Sequence, residues 1–245
     1  MADGPVKGIF IATPIYGGKI HGVTATAINQ LVSVFTRLGL FYEDCKLDMC
    51  DIVHTRNVML TIWYDSYPSC DYLLMIDNDM QILPVMVTQM LGLDKPVVGA
   101  IYRRREADQD DDIWSKVIGE PMDGDAIYPI ERGCQQWKYV GGGVLMIKRE
   151  TVTRMLKQFP ELIDYKDPGA FKRAKVTRML RLFDKMEDPV GRPLSEDYSF
   201  CERWRQCDGE IWAAVDYPIG HIGSFTYMLH AARDLGLYPK AVAAA

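Results

Sequence analysis

Five apolar residues in succession, Tyr72-Leu73-Leu74-Met75-Ile76, run without alternation straight into Asp77-Asn78-Asp79. An unbroken apolar run of this length, bounded by turn residues, predicts a strand covered on both faces, as in the interior of a parallel sheet. Open α/β sheets bind ligands outside the carboxyl ends of their strands. Two carboxylates one residue apart at such an end are therefore well placed for a divalent ion, and oxygen ligands suit Mg²⁺ or Mn²⁺, which fill their remaining positions with water and phosphates. The alternative is a solvated turn, since Asp and Asn are favoured in turns for their own local hydrogen bonding.

The rest of the first half alternates strand-like and helix-like segments, which predicts an α/β fold with an open, mostly parallel sheet flanked by helices. Gly8-Ile9-Phe10-Ile11-Ala12 reads as a buried first strand stopped at Thr13-Pro14. Ile28, Leu31, Val32, Phe35 and Leu38 recur at helical spacing, with Gly39 closing that helix. A second strand is expected from residues 40 to 47, and a second helix from Arg56-Asn57 to Tyr67, ended by Pro68. Pro84 opens a third helix, and residues 96–102 form the next strand.

Periodicity then fails between Arg103 and Trp137, where charges gather at Asp108 and Asp110-Asp111-Asp112. This stretch reads as a loop or lid, and the charged stretch from Asp164 to Pro193 as a second mobile segment. Between them lie the glycine turn Gly141-Gly142-Gly143, a strand from Val144 to Lys148 and a helix through Val152, Met155 and Leu156. Ser195 is placed to cap a further helix through Tyr198, Cys201 and Trp204. Residues 211–215 form a late strand, and His221 follows in a turn rich in glycine.

At 245 residues the chain supports one sizeable core, read as a single domain over residues 1–240 with a variable insert and a frayed tail at 241–245. A net charge of −5 without a long basic block argues against a nucleic-acid partner. No apolar run approaches the roughly 20 residues that span a bilayer, and the N-terminus lacks a signal-peptide pattern, so a cytoplasmic protein is expected. The six cysteines form no CxxC pair and read as reduced thiols.

Several other residues admit two readings. Arg56 and Asn57 read, on their own, as the polar first turn of a helix. The glycine triplet lets backbone approach a ligand closely, or makes a permissive hairpin corner. Glu196 and Asp197 are favoured at a helix start by the macrodipole, yet a carboxylate there can also serve as a general base. His221 is one of only four histidines, so packing and metal ligation both stand open. Arg103, Arg104 and Arg105 follow a strand at the same sheet edge, where one of them would meet a phosphate and the others would pair with the acidic run.

Taken in order, Thr13-Pro14, Arg56-Asn57, Ile76-Asp77-Asn78-Asp79, the glycine triplet, Ser195-Glu196-Asp197 and His221 resemble the motifs of a GT-A-fold glycosyltransferase of the broad family-2-like group. The resemblance extends from about residue 8 to 225; each motif is short and only their order is specific. It implies a Rossmann-like half at 8–102 that binds a nucleoside-diphosphate sugar, UDP-sugar favoured and GDP-sugar the alternative, and an acceptor and catalytic half at 137–225. Thr13, Pro14 and Tyr16 would line the base pocket, with Arg56 near the base or phosphates and Asn57 supporting that loop. Asp77-Asn78-Asp79 would match the DxD motif: Asp79 the direct ligand of Mn²⁺ or Mg²⁺, Asp77 nearer the ribose or the metal's waters, and His221 the third ligand. Arg103 would meet a phosphate, Gly142 and Gly143 would border sugar and acceptor, and the acceptor would be a glycan or glycoconjugate. Asp197 would be the base of an inverting transfer, and Glu196 would hold the acceptor or an arginine.

A haloacid-dehalogenase-type phosphatase carries its DxD on the first strand, whereas here two strands come earlier. A sugar nucleotidylyltransferase would show a Gly-rich, Arg- and Lys-bearing signature that residues 8–30 lack. A retaining transferase and a non-catalytic nucleotide- or carbohydrate-binding module stay open.

Overall fold

The computed structural model describes residues 8–106, 112–124, 128–165 and 176–238. The first half alternates as expected: β1 (Gly8–Ile15), α1 (Gly22–Arg37), β2 (Phe41–Asp48), α2 (Ile52–Ser66), β3 (Tyr72–Ile76), β4 (Met80–Gln81), α3 (Pro84–Leu93), β5 (Val97–Ala100) and β6 (Tyr102–Arg103). Then come β7 (Val117–Glu120), β8 (Cys134–Trp137), β9 (Tyr139–Lys148), α4 (Arg149–Gln158), β10 (Ile163–Asp164) and β11 (Met179–Leu180). The last part holds α5 (Glu196–Gln206), β12 (Ile211–Ala214), β13 (Pro218–Ile222), β14 (Thr226–His230) and α6 (Ala231–Asp234).

The main sheet has the order β2-β1-β3-β9-β5-β12-β8. Its strands β2, β1, β3, β5 and β12 share one direction, and β9 and β8 run against them. The architecture is therefore mixed α/β with a largely parallel core sheet flanked by helices, as expected, and is consistent with the Rossmann-like GT-A fold that the resemblance implies. Every residue of β3 is buried, as its unbroken apolar run requires. α1 buries Ile28, Leu31 and Phe35, and Gly39 follows its end at φ +68°, a conformation that costs glycine little.

α2 departs from the expectation. It begins a full turn before Arg56, because the Asp51 side chain accepts the His54 amide at 3.1 Å and caps it. Arg56 and Asn57 thus lie inside the helix, 2% and 3% exposed, rather than in its first turn. Thr55 to Trp63 are all buried, so the helix is covered nearly all round and shows little amphipathic periodicity.

Gly141, Gly142 and Gly143 are not a turn but the interior of β9, and none has positive φ. They are glycines because neighbours press on the strand: a Cβ on Gly142 would stand 2.6 Å from Arg56 Nη2, and one on Gly143 2.7 Å from the Tyr102 hydroxyl.

The stretch from 103 to 137 is not one loop. It contains β6, β7 and β8, and Trp114 stacks on Trp137 at 6.3 Å. Asp108, Asp110 and Asp111 lie outside the described residues. Likewise, the described part of 164–193 contributes to the core: Leu180, Leu182 and Phe183 are wholly buried. Asn57 Oδ1 accepts the Phe183 amide at 2.9 Å, and the Phe183 ring stacks on Phe200.

A second, three-stranded sheet has the order β14-β13-β4, and its β4 follows directly after the carboxyl end of β3. His221 lies inside β13, opposite Met80 of β4, and so sits in a strand where a turn was expected. Among the described residues no helix is long and apolar enough to cross a membrane, and all six cysteines are free thiols.

Candidate active site

The motif residues converge on the carboxyl edge because the register of β9 brings them there. Ile76 pairs with Val144, and the Asp77 amide donates to the Gly143 carbonyl at 2.9 Å. The glycine triplet thus lies beside the end of β3, and the α5 helix packs on β9 directly behind it.

Arg56 reaches this point from α2. Its Nη2 donates to both oxygens of Asp77 at 3.0 Å, and its Nε lies 3.4 Å from Glu196 Oε1. Burial works against a charged guanidinium here, but Asp77, Glu196 and Asp197 together hold Arg56 above its ordinary value. Burial outweighs Arg56 at its partner, where the Asp77 carboxyl is pushed up to about 6.

Asp197 Oδ2 accepts the Gly142 amide at 2.8 Å. Its Oδ1 accepts the Tyr198 amide at 2.9 Å and the Ser195 hydroxyl. Ser195 thus occupies the N-cap of α5, yet its side chain bonds Asp197 instead of capping the helix.

Asp79 is placed by strand pairing. Its carbonyl accepts the Ile222 amide at 2.8 Å, which brings His221 Nε2 to 3.5 Å from Asp79 Oδ2. His221 Nδ1 lies 2.8 Å from the Arg103 carbonyl, which can only accept, so Nδ1 carries a proton. Nε2 and a carboxylate oxygen then face one another as two acceptors, unless a proton or a cation lies between them. Arg105 approaches the same oxygen, Nη1 to Oδ2 at 2.8 Å. Although burial opposes it, the neighbouring His221 and the charge of Arg105 hold the Asp79 carboxyl below its ordinary value.

The donor chemistry at Asp79 and His221 suits Mg²⁺ or Mn²⁺: a carboxylate, an imidazole nitrogen fixed from behind by a carbonyl, and room for oxygen ligands from elsewhere. Asp77 does not join them, because its carboxylate is turned to Arg56. Among the described residues no group of three or more His, Cys, Asp or Glu side chains is assembled for a metal.

Two cavities flank Arg56. One, of about 300 Å³, is lined by Pro14, Tyr16, Cys50, Asp77, Asn78, Asp79 and Arg105, among others. The other, of about 380 Å³, is lined by Arg104, Arg192, Ser195, Glu196, Asp197 and Tyr198, among others. A larger cavity of about 700 Å³ lies at the opposite sheet edge, between Pro96, α4 and the Asp208-Gly209-Glu210 turn, remote from these residues.

Some expected residues stand apart from the first cavity. Thr13 is wholly buried. Asn57 spends its amide on Asp184 at 2.7 Å, bracing the segment that follows β11. The Asn78 side chain lines the cavity but donates to the Lys19 carbonyl at 2.7 Å, tying the β3 end to the loop after β1. Arg103 offers its carbonyl to His221, and Arg105 is the arginine that reaches Asp79. Gly142 and Gly143 present backbone, not an opening.

Two contributors stand outside the expected set. Tyr102 donates no obvious motif, yet its buried hydroxyl accepts the Gly143 amide at 2.9 Å and its ring meets His221 edge-on. Cys50, exposed in the first cavity, sits just before the Asp51 cap, and recognising that cap would have revealed it.

No protein-family model matches this chain, and no curated protein matches it either. Solved structures do align. A197 from STIV does so over 88% of this chain and 86% of its own, at 14% identity and TM-score 0.47. The catalytic domain of Drosophila β1,4-galactosyltransferase 7, in complex with xylobiose, aligns over 92% of this chain and 71% of its own, at 14% identity and TM-score 0.41. The inositol-1-phosphate CTP transferase from T. maritima aligns over 86% and 89%, at 8% identity and TM-score 0.39. Likeness of this degree assigns neither a family nor an activity.

Proposed function

We propose that the chain is a glycosyltransferase that moves a sugar from a nucleoside-diphosphate sugar to a hydroxyl of a glycan or glycoconjugate. The observation that carries this reading is the position of Arg56. One buried guanidinium binds Asp77, in the wall of one cavity, and Glu196, in the wall of the other. Two adjoining sites with a charged partition suit a donor and an acceptor that must meet.

The donor takes the cavity beside Pro14 and Tyr16, UDP-sugar favoured and GDP-sugar the alternative. Asp79 and His221 would hold Mn²⁺ or Mg²⁺, which when bound neutralises charge on the diphosphate. The acceptor takes the second cavity. Its hydroxyl oxygen attacks the anomeric carbon, a carboxylate of α5 takes the proton, and the sugar–phosphate bond breaks with its electron pair leaving on the diphosphate.

Asp197 is the carboxylate we assign as base, in an inverting reaction. Its three hydrogen bonds favour a second reading, in which Asp197 fixes α5 to β9 and Glu196 takes the proton. A panel of nucleotide sugars with Mn²⁺ tests the proposal through release of free nucleoside diphosphate. Asp79→Ala should abolish that release while leaving the fold intact. Binding without turnover would support a non-catalytic module, and unchanged release by the variant would remove the assigned metal site.

A further inference from the structure

Arg105 holds a position that the proposed donor chemistry needs vacated. Its Nη1 lies 2.8 Å from Asp79 Oδ2, the same oxygen that stands 3.5 Å from His221 Nε2. A divalent ion bound to that oxygen would face a guanidinium at contact distance, and two like charges cannot share it without a large penalty. The arginine side chain is 50% exposed, whereas Asp79 is 11% exposed. Of the two, only the arginine can leave cheaply, because an ion pair with one solvent-exposed partner contributes little. Room for its stem is provided by Gly223, where an added Cβ would stand 3.2 Å from Arg105 Cδ. The side chain also lines the cavity of Pro14, Tyr16 and Asn78, so a short swing keeps it at the place where a diphosphate would lie.

We infer that Arg105 is a displaceable stand-in for the metal: it neutralises Asp79 when no ion is bound, yields that carboxylate to the divalent ion, and then pairs with the donor's diphosphate. It is a positioning residue with two alternating anionic partners. The inference rests on reading this cavity as the donor site.

Mn²⁺ alone, titrated by electron paramagnetic resonance into the full chain, tests the first half. Arg105→Ala should bind Mn²⁺ roughly two- to fivefold tighter than the parent, the scale set by losing one partly exposed ion pair. The second half is tested by UDP at saturating Mn²⁺, where the same variant should bind several-fold more weakly and Arg105→Lys should recover part of the loss. Mn²⁺ affinity that is equal or lower in Arg105→Ala, or UDP affinity that does not change, overturns the inference and leaves the donor reading standing. Mn²⁺ binding that persists in Asp79→Ala overturns the metal site itself.

Discussion

The backbone amide of Gly142 donates a 2.8 Å hydrogen bond to Asp197 Oδ2, fastening the middle of β9 to the first turn of α5. This bond needs the strand close to Arg56, and glycine permits it. Gly142→Ala places a methyl 2.6 Å from a guanidinium already held on two sides. We expect a loss of about 1–3 kcal/mol, the usual cost of overpacking, seen as a lower urea midpoint. Gly22→Ala, where no atom lies within 4 Å of the added carbon, should be neutral or slightly stabilising.

The two carboxylates of α5 separate by assay. If Asp197 is the base, Asp197→Asn should lower transfer per folded molecule by roughly a hundredfold or more, with donor affinity nearly unchanged and the product's anomeric configuration inverted. The same variant should lose about 1–3 kcal/mol of stability, because the Gly142 amide loses an acceptor. A larger transfer defect in Glu196→Gln, or a product that retains configuration, would reassign the role.

Much of this site could be read before any coordinates existed, and the gaps have physical causes. The apolar run of β3 forces its carboxylates to the sheet edge, so Asp77 and Asp79 were legible. Arg56 was visible as a residue but not as a buried hub, because a helix covered all round carries no periodic signal to mark its start. The glycine triplet was misplaced because glycine marks close approach as readily as a turn. β4, β6, β10 and β11, two residues each, have no pattern to detect. The glycines around His221 signal a turn, since its strand is recognisable only through pairing with β4 and β14.

Thiol chemistry gives a check on the donor cavity. Burial pushes Cys134 and Cys201 up to about 12, while Cys50 is exposed at the cavity. Limited treatment with a maleimide should therefore label Cys50 first. UDP with Mn²⁺ should slow that labelling, and labelled protein should bind UDP poorly, as read by peptide mapping and calorimetry. Labelling that ignores the nucleotide would separate Cys50 from the donor site.

Asp94 supplies a pH test remote from the chemistry. It sits at the end of α3 with φ +57° and holds Lys148 at 2.8 Å and the Tyr72 hydroxyl. Burial opposes its charge, but these two partners keep the carboxyl below its ordinary value. A depressed value means stability that is present above the ordinary carboxylate range and lost as pH falls through the folded value. Asp94→Asn keeps the left-handed backbone and should cost under about 1 kcal/mol near pH 6, since the group is partly exposed. Urea midpoints of variant and parent should converge as pH falls below the ordinary carboxylate range; a gap that persists would assign the effect to packing.

The guanidinium shared by Asp77 and Glu196 has a consequence for binding equilibria. Ligands on its two sides cannot bind independently, because any rearrangement that one imposes on Arg56 alters the wall met by the other. By thermodynamic reciprocity, whatever factor a donor applies to acceptor affinity, the acceptor applies to donor affinity. Any coupling between the two proposed substrates would then pass through a single side chain of α2, and Arg56→Lys, which cannot span both carboxylates in the same way, would weaken that coupling even where it left each pocket open.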